Sequence, residues 1–356
     1  MEPAPTSLVE TLRGLPKAEH HQHLDGALRP ETAVELAAAV GMQLTIDEAR
    51  RRLVAPVRCR DQADLLSYFD LPIALLQTPD ALQRATGELV EDMAADGVTY
   101  GEIRWAPRLH LEQGLGVADV ISAVAAGVEQ GREASGAGAT SAPLIGLVVT
   151  AMRSHPPRAN VELANHAAAF GPPVVGFDLA GPEADFPAPP HAAAFRAAHA
   201  AGLGLTAHAG ETPGTARIWE VLEFGISRVA HGAPAIDDPD LLAELRTRGV
   251  TLDLCPTSNV QAGIVVDLAA HPVARLHRAG VSVTLSTDDR TVSHTTLSDE
   301  LARVALATGM TAEELAEIAV NGVRRGFSSP LELATRRAES ARAWHAWAAG
   351  VDPLSH

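Results

Sequence analysis

Lysine occurs once in the 356 residues, at Lys17, and cysteine twice, at Cys59 and Cys255. Two cysteines cannot build a disulfide framework, so a reducing, cytoplasmic setting is expected. The first residues carry no basic cluster followed by an apolar run, unlike a secretory leader. No stretch approaches the roughly 18 uninterrupted apolar residues of a membrane span, so no membrane partner is expected. Basic residues are also short: 28 Lys+Arg against 44 Asp+Glu leave a formal charge of −16. A surface negative in the mean repels phosphate backbones, which argues against nucleic acid as a partner. Aromatics make up 4% of the chain, so the core must come from Ala, Val, Leu and Ile.

The lone lysine removes whole mechanisms. Schiff-base chemistry needs a lysine in the site, and Lys17 precedes the first predicted strand. Binuclear centres bridged by a carboxylated lysine fall for the same reason.

What is present is a repeat of short apolar, β-branched runs, each ending in small or polar residues, at 18–23, 99–105, 144–151, 174–181, 204–211, 227–232, 251–259 and 281–289. Ala/Leu/Glu-rich stretches of helical period separate them, at 83–95, 117–133, 158–170, 192–201, 216–224 and 239–248. Eight strand-helix alternations predict an α/β fold, a (β/α)8 barrel, with an open doubly wound sheet as the competitor. Length divided by about 150 suggests two domains, yet such barrels commonly exceed 250 residues as one unit, and we read 1–356 as a single catalytic domain. Strands one and two are too far apart for one crossover helix. Helical patterns at 29–41, 47–53, 65–76 and 78–96, with Gly41 as a stop signal, predict a helical insertion at 27–97 that could cover the barrel mouth. Helices at 297–307, 311–325 and 330–349 follow strand eight, and loops are expected at 135–142 and 182–190.

The chemistry sits at the strand ends. Strand one ends in His21-Gln22-His23-Leu24-Asp25-Gly26. Alternate strand residues share a face, so His21 and His23 form a two-imidazole clamp, Asp25 joins them if the strand continues, and His20 is left on the opposite face as a packing residue. Strand five ends in His208-Ala209-Gly210-Glu211, strand six in His231-Gly232 and strand eight in Asp288-Asp289. A lone histidine is usually structural, but barrel enzymes place catalytic groups at the carboxyl ends of strands, and here four strands do so. Three histidines and a carboxylate suit zinc, with iron, manganese or cobalt as lesser options. Without a bridging lysine, one metal is inferred. Cys255, in Cys255-Pro256-Thr257-Ser258-Asn259, has no partner triad and is read as shaping the loop beneath the metal.

The run Pro16-Lys17-Ala18-Glu19-His20-His21-Gln22-His23-Leu24-Asp25-Gly26, then Asp178-Leu179-Ala180-Gly181-Pro182-Glu183, His208-Ala209-Gly210-Glu211, Val229-Ala230-His231-Gly232, Cys255-Pro256-Thr257-Ser258-Asn259 and Ser286-Thr287-Asp288-Asp289 resembles the adenosine deaminase family in order and spacing. The likeness spans about residues 16–325. It implies a (β/α)8 barrel with one Zn2+ held by His21, His23, His208 and Asp288. It further implies Glu211 as the acid, and His231 with Asp288 as the pair that orient and deprotonate water. Asp25 and the Gly181 backbone match contacts to ribose and purine N3, and Asp289 the contact to N7. The implied partner is a small purine nucleoside, and the implied reaction is hydrolytic deamination of adenosine or 2′-deoxyadenosine. Free adenine, a 5′-modified adenosine, an aminodeoxyfutalosine-type nucleoside and a non-catalytic binding protein are the alternatives. The other zinc deaminase pattern, His-x-Glu with Pro-Cys-x-x-Cys, is absent from the sequence.

For Glu211 to protonate a ring nitrogen it must be desolvated enough to hold its proton near neutral pH. His231 can either take a proton from water or stabilise the hydroxide. Arg290 stands where many relatives carry Pro, and is expected to alter the loop or the leaving side of the pocket; the acidic charge disfavours a 5′-phosphate, although a single arginine such as Arg290 could serve one. Leu65, Leu66, Tyr68 and Phe69 of the insertion are expected to wall the sugar.

Overall fold

The computed structural model describes residues 3–136 and 142–350, so most of the loop expected at 135–142 lies outside the described residues. Eight parallel strands run in sequential order: β1 (Lys17–His23), β2 (Val98–Trp105), β3 (Leu144–Met152), β4 (Val174–Ala180), β5 (Gly204–Ala209), β6 (Arg228–His231), β7 (Thr251–Leu254) and β8 (Ser282–Leu285). The ring closes past the end of β8. The Asp288 N–H donates to the His21 carbonyl at 2.9 Å and the His23 N–H to the Asp288 carbonyl at 2.8 Å. A doubly wound sheet would reverse its strand order and keep two edges; this one does neither, and the fold is a (β/α)8 barrel.

Scarce aromatics show in how the outer helices meet. Helix Pro79–Ala95, capped by the Thr78 side chain, packs on Val117–Ala134 through glycine. A Cβ on Gly127 or Gly131 would sit 2.4 Å from the carbonyl oxygen of Gln83 or Gly87, so side-chain-free positions let the two backbones approach. At the amino end of the barrel the ring of Phe327 fills the space that Gly176 and Gly204 leave, and the Arg228 guanidinium lies 3.6 Å over it.

Proline interrupts two of the expected elements. The strand expected at 251–259 stops at Leu254, because Pro256 has no N–H for a ladder and instead opens the helix Pro256–Gln261 at its first position. The helix expected at 65–76 splits into Gln62–Leu66, a 3-10 turn Ser67–Phe69 and Asp70–Leu75. Pro72 cannot donate the bond an α-helix would make to the Tyr68 carbonyl.

His20 is the larger correction. A register irregularity between Glu19 and Gln22 breaks the alternation, so His20 and His21 do not lie on opposite faces of a regular strand. His20 enters the barrel, its Nδ1 3.3 Å from Asp253 Oδ1. There it joins a buried polar layer: Arg228 pairs with Glu102 and, at 3.2 Å, with Asp253, which also accepts from Thr284 at 2.6 Å. Arg104 reaches Asp178 at 3.4 Å and donates to the His20 carbonyl at 2.8 Å. Each charge in this layer has an opposite charge beside it, as an interior of low dielectric demands.

Between β1 and β2 lie the helices Pro30–Ala39, Ile46–Leu53, Gln62–Leu66, Asp70–Leu75 and Pro79–Ala95; after β8 come Leu297–Thr308, Ala312–Arg324 and Pro330–Gly350. Among the described residues, no helix is long and apolar enough to cross a membrane.

Candidate active site and metal centre

The carboxyl ends of β1, β5 and β8 bring four side chains to one point. His21 Nε2 lies 3.2 Å from His23 Nε2, His23 Nε2 lies 3.1 Å from His208 Nε2, and Asp288 Oδ1 is 2.9 Å from His21 and 3.4 Å from His23. Burial depresses the pKa of His21 well below the usual value and that of His23 to about 3, against the pull of Asp288. These rings are therefore neutral, and their Nε2 atoms converge with the Asp288 carboxylate on one point. The Asp288 carboxyl is ionised: burial opposes its charge, but His21 and His231 hold it well below the usual range. Zinc with Zn–N near 2.0 Å places tetrahedral ligands about 3.3 Å apart, and the observed separations bracket that value. The donor set fits a single borderline cation.

The ligands are held from behind. His208 Nδ1 faces Asp178 at 3.1 Å, which fixes its N–H there and leaves Nε2 for the cation; Asp178 is itself held by Arg104 and by the Thr150 hydroxyl at 3.2 Å. Asp288 adopts φ +65° and His231 φ +70°, left-handed conformations that cost non-glycine residues about 1–3 kcal/mol and gather at functional sites.

Glu211 follows β5 through Gly210, whose φ of +88° turns the chain toward the cavity; a Cβ there would meet Pro234 and Gly232 at 3.0–3.1 Å. Buried Glu183 clamps this loop, accepting the N–H groups of Gly210 and Glu211 at 3.2 and 3.1 Å and the Thr212 hydroxyl at 2.7 Å. Burial, reinforced by the negative charges of Glu183 and Asp288, pushes the Glu211 pKa up to about 7 although His208 pulls it down. His231 Nε2 stands 3.6 Å from Glu211 and 3.7 Å from Asp288.

The tautomer of His231 is set from a distance. The backbone N–H of Val273 donates to His271 Nδ1 at 3.3 Å, so His271 carries its proton on Nε2 and donates to Asn259 Oδ1 at 3.1 Å. Asn259 Nδ2 then donates to His231 Nδ1 at 2.9 Å. The neutral His231 ring thus keeps its proton on Nε2, aimed into the site.

A cavity of about 240 Å³ opens over these groups, lined by His23, Asp25, Gly181, Glu211, His231, Asp288 and Asp289 on the barrel side. Leu65, Leu66 and Phe69 of the insertion form its apolar wall; Tyr68 packs instead beside Ala55, Cys59 and Val292. Asp25 reaches the cavity from the 3-10 turn Asp25–Ala27, not from a continued strand. Gly181, at φ +106°, presents backbone without a side chain. Burial and the charges of Asp288 and Asp25 raise the Asp289 pKa well above the usual range, leaving a protonated donor. Arg290 points away from the cavity, to Glu19 at 3.5 Å and Asp96 at 3.8 Å, and cannot meet a substrate phosphate from there. Cys255 is fully buried before the helix Pro256–Gln261, and burial pushes its thiol well above the usual range, which removes it as a nucleophile.

Sequence reasoning passed over Arg104, Asn259 and His271 as functional groups, and gave Asp178 and Glu183 no role beyond the motif that contains them. Each acts through another residue across the barrel, and no local spacing announces that.

The adenosine deaminase family model matches residues 16–335. The chain is 37% identical over 324 residues to the adenosine deaminase of Enterococcus faecalis, covering 90% of this chain and 94% of that one. In structure it is similar to adenine deaminase from Arthrobacter aurescens, with a TM-score of 0.84, 27% identity, and 92% and 98% of the two chains covered. It is likewise similar to a zinc-bound amidohydrolase from Burkholderia ambifaria, with a TM-score of 0.82, 25% identity, and 98% and 95% covered.

Proposed function

Since the chain belongs to the adenosine deaminase family, we propose that it converts adenosine and 2′-deoxyadenosine into the 6-oxo nucleosides, releasing ammonia. When bound by His21, His23, His208 and Asp288, zinc supplies Lewis acidity that brings a water proton within reach of a base at neutral pH. The chain's own groups do the rest. The ionised Asp288 carboxylate accepts the water proton. Of the two roles open to His231, the relay through Asn259 and His271 favours the donor: its Nε2–H stabilises the developing negative oxygen.

On the other side of the cavity Glu211, protonated up to about pH 7, gives its proton to N1 as the water oxygen adds to C6. A carboxylate there would repel the charge that builds on N1; a carboxylic acid quenches it. Asp288 then passes the proton it took from water to the exocyclic amine, the C6–N bond breaks and ammonia leaves, and the remaining hydroxyl proton on the C6 oxygen returns to Glu211 as C6=O forms. Protonated Asp289 donates to N7, the Gly181 backbone meets N3, and Asp25 accepts from the sugar. Leu65, Leu66 and Phe69 exclude water, and the insertion that carries them serves as the cover of the site. Both cysteines are free and buried, which supports a cytoplasmic location.

The observation that carries this reading is the placement of Glu211, whose burial favours the protonated carboxyl, and of Asp288, a member of the convergent donor quartet, at 3.6 and 3.7 Å from the same His231 Nε2. The test is the ultraviolet change of adenosine on incubation with zinc-loaded protein. Stoichiometric zinc with unchanged absorbance would overturn it.

A further inference from the structure

Gln22 stands between His21 and His23 in sequence and is fully buried. Its side chain is bound to the turn after β8. Nε2 donates to the Asp288 carbonyl at 3.2 Å and to the His23 carbonyl at 3.0 Å. Turned over, the amide would set its oxygen against two carbonyls, which only accept, so its orientation is fixed. The Thr287 hydroxyl is held between Gln22 Oε1 at 2.6 Å and Glu19 Oε1 at 2.5 Å, and the Thr287 N–H donates to Glu19 at 3.1 Å. Whichever acceptor takes the hydroxyl hydrogen, the two bonds from Gln22 Nε2 stand.

A bulge puts Gln22 there. Glu19 pairs with Gly101 and Gln22 with Ile103, so β1 sets two residues, His20 and His21, against Glu102 alone. An extra residue disrupts a ladder locally, and here side chains stitch the seam between β1 and β8. Ser286 Oγ accepts the N–H groups of His20 at 3.2 Å and His21 at 3.1 Å; Gln22 answers from the other strand. The seam carries much of the metal centre, because His21 lies in the bulge, His23 just beyond it and Asp288 across from both. Asp288 holds φ +65°, a backbone conformation that persists only where its surroundings over-determine it. Its N–H and carbonyl are tied to the backbones of His21 and His23, and Gln22 adds the one side-chain bond to that carbonyl.

We infer that Gln22 is a positioning residue of the metal centre: its amide staples the bulge that carries His21 to the turn that carries Asp288, and thereby sets the aim of the Asp288 carboxylate toward the other three donors. Asp288 Oδ1 lies 2.9 Å from His21 Nε2, while Oδ2 lies 3.7 Å from His231 Nε2, so a rotation of this turn exchanges one contact for the other. Gln22 does not line the cavity. Its influence runs through the backbones of His23 and Asp288, and a side chain without a donor leaves both carbonyls one partner short in a buried place.

The experiment compares wild type with Gln22→Met, which keeps the length but neither donates nor accepts strongly, with the shorter Gln22→Leu, and with Thr287→Val, which removes the hydroxyl and keeps both bonds from Nε2. Zinc affinity is read by a competing chelator, the geometry of the centre by the visible absorption of the Co2+-loaded protein, and the cost to the fold by the melting temperature of the metal-free protein. Zinc binding should weaken by about tenfold in the methionine and leucine variants, the lower end for groups that orient ligands from behind. Their cobalt bands should shift, and Thr287→Val should lose less than either. If one apolar replacement fails to fold, the other carries the comparison. A lower metal-free melting temperature with wild-type zinc affinity and wild-type cobalt bands makes the amide a staple of the fold alone and overturns the inference. A loss in Thr287→Val as large as in Gln22→Met overturns it too, because the hydroxyl and not the amide would then hold the turn. None of these readings needs turnover, so a failure of the proposed reaction does not register in them.

Discussion

Replacing Glu211 with glutamine separates what this residue does for the reaction from what it does to the fold. The substitution keeps size and hydrogen-bonding capacity but cannot supply a proton, so kcat should fall by about 10²–10⁴-fold, the range for a positioned general acid. Zinc should stay, since Glu211 is not among the converging donors. Stability should move the other way. Burial raises the carboxyl pKa from 4.5 to about 7, so the folded state binds this proton more tightly than the unfolded chain does. The penalty is absent below pH 4.5, grows between 4.5 and about 7, and is complete above. At 1.36 kcal/mol for each tenfold change in proton affinity, it reaches about 3 kcal/mol. For a chain of this length that corresponds to about 4 °C in melting temperature. Calorimetry of metal-free wild type and Glu211→Gln at pH 5 and pH 8 reads the effect. The variant should melt higher at pH 8 and nearly level at pH 5. A variant less stable than wild type at pH 8, or one that retains full kcat, refutes the desolvated-acid argument. The wild-type rate should also fall as pH rises through the Glu211 pKa, at a lower pH in the zinc-loaded protein because the cation favours the ionised form.

The remaining predictions concern the frame around the acid. Asp178→Asn keeps an oxygen for His208 Nδ1 but loses the charge that anchors it, and should weaken zinc about 10–100-fold in a competing-chelator titration; unchanged affinity would show that Asp178 does not orient the ligand. Glu102→Gln leaves Arg228 partly unpaired in the barrel interior and should cost about 3–5 kcal/mol in denaturant unfolding, whereas replacing both residues by apolar side chains should cost less. Gly181→Ala forces a side chain into φ +106° and brings Cβ to 3.0 Å from Met152; KM for adenosine should rise with zinc content intact, and an unaltered KM would argue against a backbone contact there. Chelation should lower the melting temperature of wild type, because zinc binds only the folded quartet, and should leave His23→Ala unmoved.

The donor and acceptor roles proposed for His231 and Asp288 illustrate how far local pattern reaches. The motif around His231 indicates an imidazole at a strand end, and both roles are compatible with it. The proton's position follows from Val273, His271 and Asn259, which lie up to 42 positions further along the chain and meet His231 only when the loop after β7 folds back. His20 teaches the same from the opposite side: strict alternation puts it on the outer face, and a register irregularity in β1 draws it in to Asp253. Arg290 looked like a pocket residue from its neighbours, yet the chain beyond Asp289 turns it to Glu19 and Asp96.

Repetition and residue chemistry needed no coordinates: eight apolar runs with helices between them, paired imidazoles on β1, a carboxylate pair after β8 and a single lysine narrowed the fold to a barrel or an open doubly wound sheet and the centre to one cation. Those features are local, set by period two, period 3.6 and the donor properties of each side chain. Short helices at Thr6–Arg13 and Val273–Arg278 and the splitting of the insertion at Pro72 fall below what such periodicity resolves. Only closure of the barrel decided which groups stand behind others, Asp178 behind His208, Glu183 behind Glu211 and Gln22 behind Asp288, because each pairing joins residues from separate strands and loops whose separation in sequence carries no information about distance in space.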